Sequence, residues 1–152
     1  MNTSQLRRAV LFAVFAGIAV ANPASAFSPF AGEVRKPQAR EFGLGPRESS
    51  ERKYMVYLKA VEEPLRLRKL QNIRVLVLDA MGRPVEGARI SVDGGMPQHS
   101  HRLPTEPLVK NGPDGGVYDI QGMRFSMEGW WEVKLDIEAA PGADRVTFNL
   151  AF

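Results

Sequence analysis

From Tyr54 onward the chain alternates apolar and polar residues with a period of two, the signature of half-buried strands and not of helices. Tyr54, Val56, Leu58 and Ala60 share one face, and Met55, Tyr57, Lys59 and Val61 share the other. That pattern predicts a strand over 54–61. Glu62-Glu63-Pro64 closes it, and a charged link from Leu65 to Gln71 leads into a second predicted strand, Asn72–Leu78. There Ile73, Val75 and Val77 face one way and Leu76 and Leu78 the other, beside Arg74, as in a central strand covered on both sides. Asp79 to Pro84 predicts a turn, because Gly82 accepts a positive φ and Pro84 has no N–H to donate to a ladder. Ala88 to Asp93 alternates again, with Ala88, Ile90 and Val92 inward, and Gly94-Gly95 is expected to stop that strand.

The second half repeats the pattern. Leu108–Lys110 reads as a short edge strand, followed by the strongest turn signal of the chain, Asn111-Gly112-Pro113-Asp114-Gly115-Gly116. Val117–Gly122 follows with Tyr118 and Ile120 on one face, and Met123–Met127 continues as a short run. In Trp130–Glu138, Trp131, Val133, Leu135 and Ile137 alternate against Glu132, Lys134, Asp136 and Glu138. This parity makes Trp131 the expected centre of the core and points Trp130 outward, as a partner contact, a lid over the histidine-bearing loop or a half-buried edge residue. After Pro141-Gly142, a last strand over 145–152 puts Val146, Phe148, Leu150 and Phe152 together. About seven short strands, with turn signals every 8 to 12 residues, predict an all-β, immunoglobulin-like β-sandwich over residues 54–152.

The segments upstream have a different character. Residues 1–26 have the form of a secretory signal peptide: Arg7-Arg8, the apolar run Ala9 to Ala21, and the small-residue site Ala24-Ser25-Ala26. The run is too short for a membrane-spanning helix, which needs about 20 residues, so no stable span is expected once the peptide is cleaved. The general secretory route is expected over the twin-arginine one, and the location is periplasmic or secreted. Residues 27–53 carry Pro29, Pro37 and Pro46 with no period, and read as a flexible linker; the other reading is an extended arm anchored by Phe27, Phe30 and Phe42.

Composition narrows the chemistry. The chain has no cysteine, so disulfides, thiolate metal sites and a Cys nucleophile are excluded. The formal charge is +3, and two of the basic residues belong to the predicted signal peptide. A nearly neutral domain with only the short tract Arg66-Leu67-Arg68-Lys69 gives no reason to expect nucleic acid. No phosphate loop, Gly-x-Ser-x-Gly elbow or acid/base pair is present, so the chain is not expected to be an enzyme.

One stretch remains, Gly94 to Thr105 (GGMPQHSHRLPT), which holds both histidines of the chain. His99 and His101 are two residues apart, so an extended backbone puts both imidazoles on one side with Cα atoms about 7 Å apart. Met96 lies just before Pro97, and Met123 and Met127 are further soft donors. Imidazole and thioether donors in an exported, Cys-free chain favour copper, Cu(I) in particular, over magnesium or calcium. The same residues also describe two solvated histidines and gap-filling core methionines.

The run from Asn72 to Leu150 resembles the YtkA-like domain, an immunoglobulin-like module of exported bacterial proteins related to FixH-type proteins. The resemblance rests on GRPVEGARISVDGGMPQHSHRLPTEP at 82–107, GGVYDIQGMRFSMEGWWEV at 115–133 and DRVTFNL at 144–150. It implies copper handling in respiratory oxidase assembly, with Met96, His99 and His101 as metal contacts and Met127 as the matching methionine before the Gly-Trp step. Arg102 stands where the family often has glycine, which implies a positive charge beside the cation. Ser126 stands where a third histidine often precedes the methionine, which leaves a His2Met2 set suited to Cu(I). The implied role is an exported copper-binding or copper-delivery accessory protein with a copper-receiving or membrane-complex partner. The alternative is a metal-free interaction module or accessory subunit of such a complex.

Overall fold

The structure, a computed structural model, describes residues 34–152. The predicted signal peptide and the linker anchors Phe27 and Phe30 lie outside the described residues. Nine strands are present among the described residues: β1 Arg47–Glu48, β2 Tyr54–Ala60, β3 Gln71–Asp79, β4 Arg89–Met96, β5 His101–Arg102, β6 Leu108–Asn111, β7 Val117–Met123, β8 Trp130–Glu138 and β9 Asp144–Ala151. They form a five-stranded sheet in the order β1-β2-β3-β7-β6 and a four-stranded sheet in the order β5-β4-β8-β9, with every paired neighbour antiparallel. This is the expected immunoglobulin-like sandwich with nine strands in place of about seven. The two unforeseen strands, β1 and β5, are each two residues long. That is too short to show a period.

The core forms where the alternation placed it. Val56, Ile73, Val75 and Ile120 from the first sheet meet Trp131, Val133, Leu135, Ile137 and Phe148 from the second, all fully buried. Burying a side chain of this size contributes roughly 1.5–3 kcal/mol, the main source of stability in a chain without disulfides. Trp131 sits edge-on to Phe125, with ring centroids 5.4 Å apart, and its indole N–H donates to the Met127 carbonyl at 3.0 Å. The central tryptophan thereby ties the β7–β8 link to the core.

Three expectations are corrected. Gly94 and Gly95 do not stop β4, which runs through them to Met96. Trp130 alternates to the outer face as foreseen, yet it is only 4% exposed. Its indole N–H donates to Asn149 Oδ1, and Asn149 Nδ2 donates to the Glu41 carbonyl, so the segment before β1 lies against that side. That segment is the third correction, because the described part of the expected linker is bound to the sandwich. Ala39–Glu41 makes a 3₁₀ turn, and Phe42 forms a parallel bridge to Asn149. The Gly43 N–H then donates to the Asn149 carbonyl at 2.8 Å, and the Leu44 carbonyl accepts from Leu58 at 2.7 Å. These residues satisfy edge groups of both sheets, β9 on one and β2 on the other, which composition could not reveal.

Antiparallel register collects the loops at two ends. The β4–β5 hairpin, the β2–β3 link and the β7–β8 link share one end, since Gln71 pairs with Met123 and Gly95 with Glu132. The β3–β4 loop, the β6–β7 turn and the β8–β9 turn share the other.

Candidate functional site

The stretch carrying both histidines is a tight hairpin. β4 ends at Met96, the chain reverses over 97–100, and β5 begins at His101. Pro97 begins the turn, the His99 N–H closes it on the Met96 carbonyl at 3.0 Å, and Ser100 takes a left-handed φ of 53°. The Leu103 N–H donates to the Gly94 carbonyl at 2.9 Å and holds the returning strand. The two glycines permit this packing. A Cβ at Gly94 would lie 2.5 Å from the Glu132 carbonyl oxygen, and one at Gly95 would collide with the His101 carbonyl. Only a residue without Cβ lets β4 pass so close to both neighbours.

The backbone is thus not extended between the histidines, as the spacing had implied. His99 lies in the turn and His101 opens β5. The turn nevertheless brings the rings side by side, with centroids 6.2 Å apart and planes inclined by 24°, both side chains open to solvent. Met96 is the register partner of His101, so thioether and imidazole leave the same face of the sheet from neighbouring positions.

The methionines differ in access. Met96 is 1% exposed, and its methyl group packs against Gly129, where an added Cβ would sit 2.8 Å from Cε. Met127, two residues before Gly129, is 41% exposed. Met123 is fully buried in the core. The structure therefore brings Met96, His99 and His101 onto one hairpin and puts Met127 on the link at the same end of the sandwich. Met123 ends β7 and is not part of the hairpin. Among the described residues, no group of three His, Asp or Glu side chains comes together in a form that could hold a metal ion.

The charge of Arg102 is directed away from the imidazoles. Successive strand residues face opposite ways, and Arg102 reaches the outer face of the sheet to pair with Asp93 at 3.2 Å. A backbone hydrogen bond from Gly94 and the Arg102 guanidinium hold the Asp93 carboxyl below its ordinary value, against the opposing effect of burial. Asp93 and Arg102, with Met96, His101, Glu132 and Lys134, border a shallow cavity of about 230 Å³ beside the hairpin. Ser126, where a third imidazole was sought, is partly buried, and its carbonyl accepts from Arg68 Nε at 3.4 Å. Sequence reasoning missed Gly129. Its signal was the left-handed φ of 126° required just before Trp130, which a sequence shows only as a glycine.

Fold and site together define an all-β, immunoglobulin-like sandwich that presents imidazole and thioether donors at one end. The YtkA-like family model matches residues 49–136, more than half of the chain, and the chain belongs to that family. The match opens beside β1, a few residues before the predicted domain start at Tyr54. Comparison with curated proteins gave no match. Among solved structures, the ZirS C-terminal domain is similar at 15% identity and a TM-score of 0.39, covering 95% of each chain. No helix among the described residues is long and apolar enough to cross a membrane.

Proposed function

We propose that this YtkA-like chain is an exported copper-handling accessory protein that takes one Cu(I) at the β4–β5 hairpin. His99 and His101 are the primary ligands, with thioethers of Met96 and Met127 completing a soft donor set. The observation that carries the reading is the parallel placement of two exposed imidazoles, 6.2 Å between centroids, on the strand register of Met96. Two metal–nitrogen bonds of about 2 Å, with a ring on each side, span a separation of this size. Nitrogen and thioether donors suit Cu(I), and the ligand imidazoles must be unprotonated, so binding weakens in acid. A copper-receiving partner is the natural counterpart of so exposed a site.

A second reading is a metal-free interaction module of an exported or membrane complex. It is favoured by the burial of Met96, whose packing against Gly129 accounts for that methionine without any metal. Competition against a Cu(I) chelator separates the two. The copper reading predicts one Cu(I) per chain and an affinity loss of at least about 100-fold in His99→Ala/His101→Ala. Equal, weak binding by both proteins overturns it. Met96→Leu conserves volume and costs less than about 1.5 kcal/mol of stability; an affinity drop in that variant marks the thioether as a ligand, and unchanged affinity marks it as packing.

A further inference from the structure

A thioether differs from an imidazole in one respect that bears on this site: its sulfur takes up oxygen from peroxides. The described residues include Met55, Met81, Met96, Met123 and Met127. Met123 is fully buried, Met96 is 1% exposed, and Met55 is half-buried in β2. Peroxide in solution therefore meets only the other two freely. Met81 is 78% exposed on the β3–β4 loop, at the end of the sandwich away from the histidines, and Met127 is 41% exposed on the β7–β8 link at the histidine end. The backbone around Met127 is held independently of its side chain. The Trp131 indole N–H donates to the Met127 carbonyl at 3.0 Å, and Arg68 donates through Nε to the Ser126 carbonyl at 3.4 Å and through its backbone N–H to the Phe125 carbonyl at 2.6 Å. A change at the Met127 sulfur leaves these bonds in place. The Met96 methyl group packs against Gly129, two residues further along the same link, and stays out of reach of oxidant while the chain is folded. One end of the sandwich thus carries an oxidisable thioether and a protected one.

We propose that Met127 is a redox modification site, oxidised to the sulfoxide by hydrogen peroxide, and that its oxidation state sets the Cu(I) affinity of the hairpin; this rests on the copper reading above. The sulfur lone pair attacks one peroxide oxygen, the O–O bond breaks, and the proton left on the transferred oxygen passes to the departing hydroxide, which leaves as water. Sulfur is oxidised by two electrons and the peroxide is reduced by two. The sulfoxide presents a hard oxygen where the thioether offered a soft sulfur, so Cu(I) loses one donor and keeps His99, His101 and Met96. Oxidation therefore weakens binding without abolishing it. Outer-shell partners of a metal already carry about 10- to 100-fold in affinity, so a ligand carries at least about tenfold. With no cysteine in the chain, no thiol takes the oxidant first.

The test treats the metal-free protein with hydrogen peroxide, removes the peroxide, locates added oxygen by peptide mass spectrometry and measures competition against a Cu(I) chelator. Met81→Leu is used throughout, because it leaves Met127 as the one freely exposed methionine among the described residues. Met127 is expected to gain one oxygen before Met96 or Met123 does, with the melting temperature unchanged and Cu(I) affinity lowered at least about tenfold. Met81→Leu/Met127→Leu starts at the lower affinity and does not respond to peroxide. Binding that is weak before peroxide and equal to that of His99→Ala/His101→Ala overturns the copper reading and this inference with it. One Cu(I) held tightly before peroxide, with an affinity unchanged after full conversion of Met127, overturns this inference alone. So does a Met127 no more reactive toward peroxide than Met96.

Discussion

Asp144 shows how much one residue does that no local pattern announces. It opens β9, is 9% exposed, and its carboxylate accepts the backbone N–H groups of Glu51, Lys53 and Arg145. Burial raises its pKa, but hydrogen bonds from the Ser49 side chain and from the Arg145, Glu51 and Lys53 backbone outweigh that effect and hold it below the ordinary carboxylate value. A depressed folded-state pKa stabilises the fold above the unfolded value near 3.9, and the contribution is lost as pH falls through the folded value. Denaturation midpoints are therefore expected to drop as pH falls below about 4. Asp144→Asn should flatten that dependence and cost about 1–3 kcal/mol at neutral pH; an unchanged pH profile in the variant contradicts this role. Two of these donors, Glu51 and Lys53, lie 93 and 91 positions away in sequence, which is why the residue was invisible beforehand. Trp131 was legible, because its parity, bulk and apolar neighbours all agree. Its replacement by Ala should cost about 3–5 kcal/mol in chemical denaturation. For Trp130 parity gave the face correctly but not the burial, which comes with a hydrogen bond to Asn149, itself bound to the Glu41 carbonyl.

Among the strands, alternation located every segment long enough to display it. The faces of β2, β3, β7, β8 and β9 agree with burial at Val56, Val75, Ile120, Leu135 and Phe148. What failed were breaks in the pattern. Gly94-Gly95 reads as a stop, yet serves as the place where β4 slips between β8 and β5. Gly129 repeats the lesson at the site. Its left-handed backbone and the 2.8 Å approach to Met96 Cε mean that Gly129→Ala should lower stability by at least about 1 kcal/mol and displace the Met96 side chain. Loss of near-ultraviolet signal from the adjoining tryptophans would register that displacement. The segment before β2 was misjudged on composition. A chain begun at Ser49 loses the Gly43–Asn149 and Leu58–Leu44 hydrogen bonds together with β1. At about 1 kcal/mol for each bond, its melting temperature should fall by several degrees. An unaltered melting temperature would restore the linker reading.

For the chain as a whole, the sandwich acts as a mount that carries the histidine hairpin and the Met127 link at one end. The side chains of the candidate site were legible from GGMPQHSHRLPT, because two imidazoles and a thioether lie within six residues of one another. Their arrangement was not, because it depends on a turn closed by His99 and a register that sets Met96 against His101. The direction of Arg102 likewise follows only from that register. If copper occupies this hairpin, its coordination shell must contain both donor classes. Copper K-edge absorption spectroscopy of the Cu(I)-loaded protein should show two imidazole nitrogens and at least one thioether sulfur around a single ion, with the nitrogen contribution abolished in His99→Ala/His101→Ala. A shell of oxygen or nitrogen alone, unaffected by the two substitutions, would contradict the assignment.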